Sequence, residues 1–331
     1  MSVSFEVYRG GKDGRIVADT TTRTLQPNEA YIETTHSGLC GTDEHFVTSG
    51  QVLGHEGVGI VRQIGSLVST VKVGDRVGFG YIRQVCGACD NCATGWDQFC
   101  RRCRRYGETD LDLGSFSHGV VWDADCLFPI PEGYTSEHAA PMLCAGGSVW
   151  NCLLSFGARP PQRVGVMGIG GLGHLAIKLA AAMGYEVVAL SRSEEKRADA
   201  LAYGASEFHV WDGEAVPLRL KHLLLCGSMA TDYAALIPLM DTGSIIYPLT
   251  VAFEPAAVPI LEMGLAGICI QGVRVSSRTR LRELLVFAAN QHITPTVVSF
   301  PLTVEGVERA LSELRAGNIH YRAVLVREPS Q

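Results

Sequence analysis

No uncharged apolar run in this 331-residue chain reaches the ~18 residues that suggest a bilayer span. The longest apolar stretch, 175–190, is interrupted by Lys178, Gly184 and Glu186, so no membrane partner is expected. Positive charge is scarce as well, with 28 basic against 34 acidic side chains and a formal net charge of -6. A nucleic-acid binder needs a basic face, so no such partner is expected either. The opening residues lack the apolar core of an export signal, because Glu6, Tyr8 and Arg9 interrupt it. Internal repeats and low-complexity tracts are missing, and aliphatic residues recur along the whole length, which excludes a disordered chain. The expectation is a soluble, cytoplasmic protein. At roughly 100–200 residues per domain, it has room for two domains.

Cysteine is the one residue present in unusual number. Eleven is odd, and without an export signal a disulfide framework is a poor account. Cys86, Cys89, Cys92 and Cys100 follow the order C-x2-C-x2-C-x7-C in a loop that carries Gly87 and Gly95. Four thiolates close a tetrahedral shell around zinc with no open position, which makes a structural site. Four unrelated core thiols would not be interleaved with Asp90, Asn91, Asp97 and Gln98. Cys103 stays open as a substitute for Cys100. The lobe, bounded at 84–105, has no core of its own, so metal would supply its folding energy, ~10–16 kcal/mol in small zinc peptides. Arg101, Arg102, Arg104 and Arg105 read as a solvated face.

Residues 1–80 read as short strands between glycine turns, with Val58, Ile60, Val71, Val73 and Val77 partly alternating. From about Arg163 the rhythm changes to strands at 164–167, 186–190, 222–226, 244–247 and 268–272. Helices are expected at 172–183, 194–203, 231–240 and 281–290. Strands alternating with helices imply a parallel sheet covered on both faces. After Thr294 a strand (296–300), a helix (304–316) and a strand (321–327) return the chain to the N-terminal domain, which becomes discontinuous.

Gly168-Ile169-Gly170-Gly171-Leu172-Gly173 fits G-x-G-x-x-G. In a chain with 37 glycines the pattern alone is weak, but here it follows a strand and opens an amphipathic helix. In that context it is a dinucleotide fingerprint, with the phosphates drawn to free N–H groups at the helix start. About 20 residues on, an NAD site places an acid against the ribose. No acid stands at Ser191. Ser191, Arg192, Ser193 and Lys196 offer hydroxyls and positive charge, which suit a 2′-phosphate and so NADP(H). The bland alternative is a solvated helix start, with Glu194 and Glu195 facing water.

Cys40 in Cys-Gly-Thr-Asp, His55 and Glu56 in Gly-His-Glu-Gly, and Cys144 in Met-Leu-Cys-Ala-Gly are dispersed. Two thiolates and an imidazole make a catalytic zinc shell with one open position, and Asp43 suits the other ring N–H of His55. Taken singly, each has an ordinary structural reading, and spacing alone does not assemble them.

With these motifs the chain resembles the zinc-dependent medium-chain alcohol dehydrogenases, in their NADP(H)-dependent cinnamyl-alcohol-dehydrogenase-like branch, over nearly its whole length. The resemblance implies an α/β protein with a GroES-like β-rich catalytic domain (1–148 and 293–331) and a doubly wound Rossmann domain (149–292). The active site is expected in the cleft between them, in a homodimer. It implies two Zn2+ per chain, one on Cys86, Cys89, Cys92 and Cys100. The other would be on Cys40, His55 and Cys144, with Glu56 as an exchange ligand. Thr42 would relay a proton from the alcohol and His45 would pass it to solvent. Arg322 would reach the cofactor pyrophosphate, and Arg278 would lie near the cofactor. Zinc would polarise the oxygen of an alcohol or aldehyde while hydride passes to or from C4 of the nicotinamide.

Two departures stand out. The 44–54 link and the 208–222 loops are short for the family, and a trimmed 44–54 link suggests a bulky or aromatic substrate. An alternative keeps the fold and reduces an activated C=C or iminium bond without zinc on the reacting atom. A non-catalytic NADPH binder is a further alternative, but it has no use for the complete set of Cys40, Thr42, His55 and Cys144.

Overall fold

The computed structural model describes residues 2–213, 216–227 and 231–328. Met1 and 329–331, assigned above to the first domain, and Glu214 and Ala215 of the 208–222 loops lie outside the described residues. The chain divides into two compact units. One runs up to Gly147 and resumes at Val275, and the other is Ser148–Arg274.

The first unit is organised by the strand Glu29–Leu39, which pairs antiparallel with Gly57–Ile64, Gly119–Asp123 and Arg322–Val326. The sheet continues outward through Arg76–Phe79 and Phe128–Pro129 on one side and Val297–Pro301 on the other. A hairpin of Ser2–Gly10 and Ile16–Thr24 stands beside it. Side chains alternate across a strand, so one face gathers Phe5, Ile32, Val61, Val77, Phe79 and Trp122 into a core. Each such side chain stabilises the unit by roughly 1.5–3 kcal/mol when fully buried.

The second unit carries a parallel sheet in the order Glu207–Val210, Glu186–Ser191, Arg163–Met167, Leu220–Leu225, Met240–Pro248, Cys269–Ile270. Numbered along the chain this is 3-2-1-4-5-6, the doubly wound order of dinucleotide-binding sheets. Its inner strands are buried on both faces, which is why 187–190 and 223–225 read as continuous aliphatic runs. The order reverses beside Arg163–Met167, and the loop 168–173 leaves from the carboxyl end of that strand. Gly168 takes φ +92°, and a Cβ on Gly173 would collide with the Gly168 carbonyl. Around Gly170 there is open space, the room a pyrophosphate needs.

Several expectations are corrected. The second unit ends at Arg274, not 292, and the helix Arg278–Asn290 belongs to the first unit. Leu281 and Leu284 of that helix pack against Gly147 and Gly146, and Arg278 ties it to Asp97. The helix expected at 231–240 shrinks to Tyr233–Leu236 and a 3-10 turn, Ile237–Leu239. Pro238 lacks the N–H that a continuing helix needs. The helix expected at 194–203 starts as a 3-10 turn, Glu194–Lys196, before Arg197–Ala202. Ile260–Ala266 is a helix with no amphipathic signature, because Ile260, Leu261 and Leu265 are all exposed.

Candidate active site and metal centres

Three loop ends of the first unit meet at one buried point. Cys40 ends the strand Glu29–Leu39 and caps the short helix Gly41–Glu44, where its backbone N–H donates to Asp43 Oδ2 at 2.9 Å. His55 sits just before the strand Gly57–Ile64, after Gly54 in the left-handed region at φ +88°. Cys144 lies in a π-helical turn, Met142–Gly146, a deformation that recurs at functional sites. The ligand atoms of Cys40, His55, Glu56 and Cys144 all fall within 4.8 Å of one another, and all four residues are buried. His55 Nε2 is 3.3 Å from Cys144 Sγ. Ordinary zinc bonds at tetrahedral angles place such a pair about 3.6 Å apart.

The electrostatics suit a cation. His55 Nδ1 lies 2.8 Å from Asp43 Oδ1. Burial pushes the imidazole down, but the Asp43 carboxylate and the Cys40 sulfur more than reverse this and hold it well above its usual range. The Cys144 thiol and the nearby imidazole pull Cys40 well below the usual thiol value, while the same contact and burial drive Cys144 up. Burial raises Glu56 to about 7 against the opposing pull of Arg322. One carboxylate oxygen of Glu56 is ion-paired with Arg322. The other, Oε1, is buried with no hydrogen-bond partner among the described residues. An orphaned carboxylate oxygen beside two thiols and an imidazole fits a zinc ion.

Thr42 Oγ1 is 3.7 Å from Cys40 Sγ, and Thr42 is half-buried while His45 is exposed. Arg322, expected at the cofactor, opens the strand Arg322–Val326 and is buried in an ion pair with Glu56. Arg278, expected near the cofactor, donates from its backbone N–H (3.0 Å) and Nε (2.5 Å) to the Asp97 carboxylate. Truncating it to alanine keeps the backbone donor but strips a buried carboxylate of its charged one. Arg278→Ala is therefore expected to lower stability by about 1–3 kcal/mol in denaturant unfolding, with the metal content unchanged.

The four-cysteine lobe hangs between the paired strands Ile82–Gln84 and Arg104–Arg105. The sulfurs of Cys86, Cys89, Cys92 and Cys100 lie within 4.8 Å of one another, with Cys89 to Cys92 at 3.6 Å and Cys86 to Cys92 at 3.9 Å. A tetrahedral zinc with bonds near 2.3 Å spaces its sulfurs about 3.8 Å apart. Backbone N–H groups of Ala88 and Cys89 lower Cys86 to about 5, whereas burial raises Cys92 to about 12. Cys100 is in this group and Cys103 is not. Cys100 Sγ also receives the N–H groups of Cys86 at 3.3 Å and Arg102 at 3.4 Å.

In the second unit Ser191 ends its strand, and Arg192 and Ser193 are exposed just beyond it, with Lys196 half-buried. Arg197 engages both carboxylate oxygens of Glu194, Nη2 to Oε1 at 2.8 Å, which offsets the acid nearest the basic group. Two residues near the metal group carry no motif and escape sequence reasoning. Tyr106 and Tyr81 lay their rings against His55.

Residues 26–132 match the alcohol dehydrogenase GroES-like domain. An NADP-dependent alcohol dehydrogenase C from Mycolicibacterium smegmatis is 31% identical over 323 residues, covering 92% of each chain. Among solved structures, a cinnamyl alcohol dehydrogenase from Sorghum bicolor superposes with a TM-score of 0.92 at 26% identity, covering 99% of this chain and 100% of that one. A Helicobacter pylori cinnamyl alcohol dehydrogenase complexed with NADP(H) shares the fold, with a TM-score of 0.90 at 24% identity over 98% and 99% of the two chains. The chain belongs to the zinc-dependent medium-chain alcohol dehydrogenase superfamily, in its cinnamyl-alcohol-dehydrogenase-like branch.

Proposed function

We propose that the protein is an NADP(H)-dependent zinc alcohol dehydrogenase that interconverts a bulky or aromatic aldehyde with its alcohol. The observation that carries this reading is the buried convergence of Cys40, His55, Glu56 and Cys144 in a chain of this superfamily. Cys40, His55 and Cys144 would hold one Zn2+, which supplies Lewis-acid polarisation of an alcohol or carbonyl oxygen. Two thiolates and a neutral imidazole balance its charge, and Arg322 offsets Glu56 when that carboxylate joins the shell. Asp43 keeps the proton on His55 Nδ1, so Nε2 is free to bind metal. Thr42 Oγ1 would take the hydroxyl proton of the alcohol as it releases its own towards exposed His45, which would pass a proton to water. Cys86, Cys89, Cys92 and Cys100 would hold a second, structural Zn2+.

Gly168, Gly170, Gly171, Leu172 and Gly173 would cradle the pyrophosphate, and Ser191, Arg192, Ser193 and Lys196 the 2′-phosphate. Arg192→Asp removes a charge-assisted bond and adds repulsion, which is expected to lower kcat/KM for NADPH by about 10–100-fold with little change for NADH. Steady-state kinetics with both cofactors check this.

The reading extends to a homodimer in the cytoplasm. Phe253, Ile260, Leu261 and Leu265 are exposed apolar residues of the second unit that a partner copy would cover. Eleven free cysteines suit a reducing compartment. No helix among the described residues is long and apolar enough to cross a membrane. A panel of aldehydes with NADPH, alongside metal content per chain, tests the proposal. Turnover of aromatic aldehydes with a higher kcat/KM than acetaldehyde supports it, and the reverse order rejects the substrate class.

A further inference from the structure

We propose that Tyr106 is a positioning residue for the catalytic metal, holding the His55 imidazole by its ring and the Gly54 N–H, one residue before it, by its hydroxyl. The inference rests on the reading of Cys40, His55 and Cys144 as a metal shell.

Tyr106 follows directly on the strand Arg104–Arg105, which closes the neck of the four-cysteine lobe by pairing with Ile82–Gln84. Its backbone N–H donates to the Tyr81 carbonyl at 2.9 Å, so the neck delivers two rings at once. The Tyr106 ring stacks on His55 with centroids 4.8 Å apart and planes inclined by 26°. Tyr81 meets the same imidazole edge-on at 6.0 Å, and Phe46 braces Tyr106 edge-on at 5.3 Å. The imidazole is thus gripped on a face and an edge.

The hydroxyl distinguishes this from ordinary aromatic packing. It accepts the N–H of Gly54, the residue before His55, at 3.1 Å. The Asp43 carboxylate, in turn, receives the Cys40 N–H at 2.9 Å and lies 2.8 Å from His55 Nδ1. Both partners belong to the metal-ligand residues themselves. A ring serving only to fill space would work equally well as phenylalanine, which would leave the Gly54 N–H unmatched in a buried site. Groups that orient a ligand from behind typically change metal affinity or activity by about 10–100-fold when removed.

The test uses the full-length, metal-loaded protein and the variants Tyr106→Phe and Tyr106→Leu. Zinc affinity is measured by competition with a chromophoric chelator, with the Cys86, Cys89, Cys92, Cys100 group as internal reference. The visible d–d bands are compared after replacement of zinc by Co2+. Tyr106→Phe is expected to weaken one zinc about 10-fold, leave the other unchanged and shift the cobalt difference spectrum. Tyr106→Leu, lacking ring and hydroxyl, is expected to weaken the same zinc further. Unchanged zinc affinities and an unchanged cobalt spectrum in Tyr106→Phe would overturn the proposal, whatever happens to the melting temperature. Should Tyr106→Leu fail to fold, the phenylalanine variant decides alone. If Cys40→Ser keeps both zinc ions, the metal reading itself has failed, a result distinct from an intact site indifferent to Tyr106.

Discussion

Cys144→Ser is expected to bring the zinc content from two ions per chain to one and to lower kcat/KM at least ~1,000-fold. A thousandfold loss corresponds to about 4 kcal/mol of transition-state stabilisation, within what a Lewis acid at the reacting oxygen supplies. Serine keeps the volume of the side chain but is a far poorer ligand for zinc than thiolate. The variant should still fold, because Cys144 sits in a turn whose neighbours Met142, Leu143 and Ala145 are buried independently of the metal. Elemental analysis, steady-state kinetics and a thermal melt together check the three parts. An enzyme that reduced aldehydes at the wild-type rate with one zinc fewer would contradict the mechanism.

The second large effect belongs to the lobe. Cys89→Ser leaves three sulfurs for a site that closes with four, and the lobe has little else to hold it. Its helical segments are single turns, Asp90–Ala93 and Asp97–Phe99. The Asp97 to Arg278 pair and the Trp96 to Phe99 ring contact at 6.2 Å are among its few other ties. Structural zinc contributes ~10–16 kcal/mol to folding in small peptides, and loss of even a third of that should lower the melting temperature by on the order of 10 °C. Limited proteolysis should then cut within 84–105 before it cuts elsewhere. Because Tyr81 and Tyr106 leave from the neck of this lobe, its collapse should also weaken the zinc at Cys40, His55 and Cys144. A Cys89→Ser protein that melts and resists protease like the wild type would assign the four sulfurs no structural role.

How much of this was legible in the sequence depended on how local each feature is. The lobe's four sulfurs fall within one segment and are legible from spacing, and the dinucleotide loop is a hexapeptide legible from its place between a strand and a helix. Cys40, His55 and Cys144 are joined by the register that sets Ser37 opposite Gly57 and by a π-helical turn. Neither leaves a periodic trace, so only family resemblance assembled them. Arg322 and Arg278 pair with Glu56 and Asp97, neighbours no spacing names, since an arginine's partner is chosen by tertiary packing. Stacking has no spacing signal at all, which hid Tyr106. Periodicity predicts a helix over 281–290, three residues short of Arg278–Asn290 at its start, but its allegiance to the first unit rests on Asp97, far away in sequence.

The central claim is most directly tested by zinc-edge X-ray absorption on the purified enzyme with its metal content measured. Two ions per chain, one with four sulfurs and one with two sulfurs and an imidazole, average to about three sulfur neighbours per zinc near 2.3 Å, plus a nitrogen or oxygen shell near 2.0–2.1 Å. A single zinc per chain surrounded by sulfur alone would contradict the account, because the buried thiol pair and imidazole would then hold no metal.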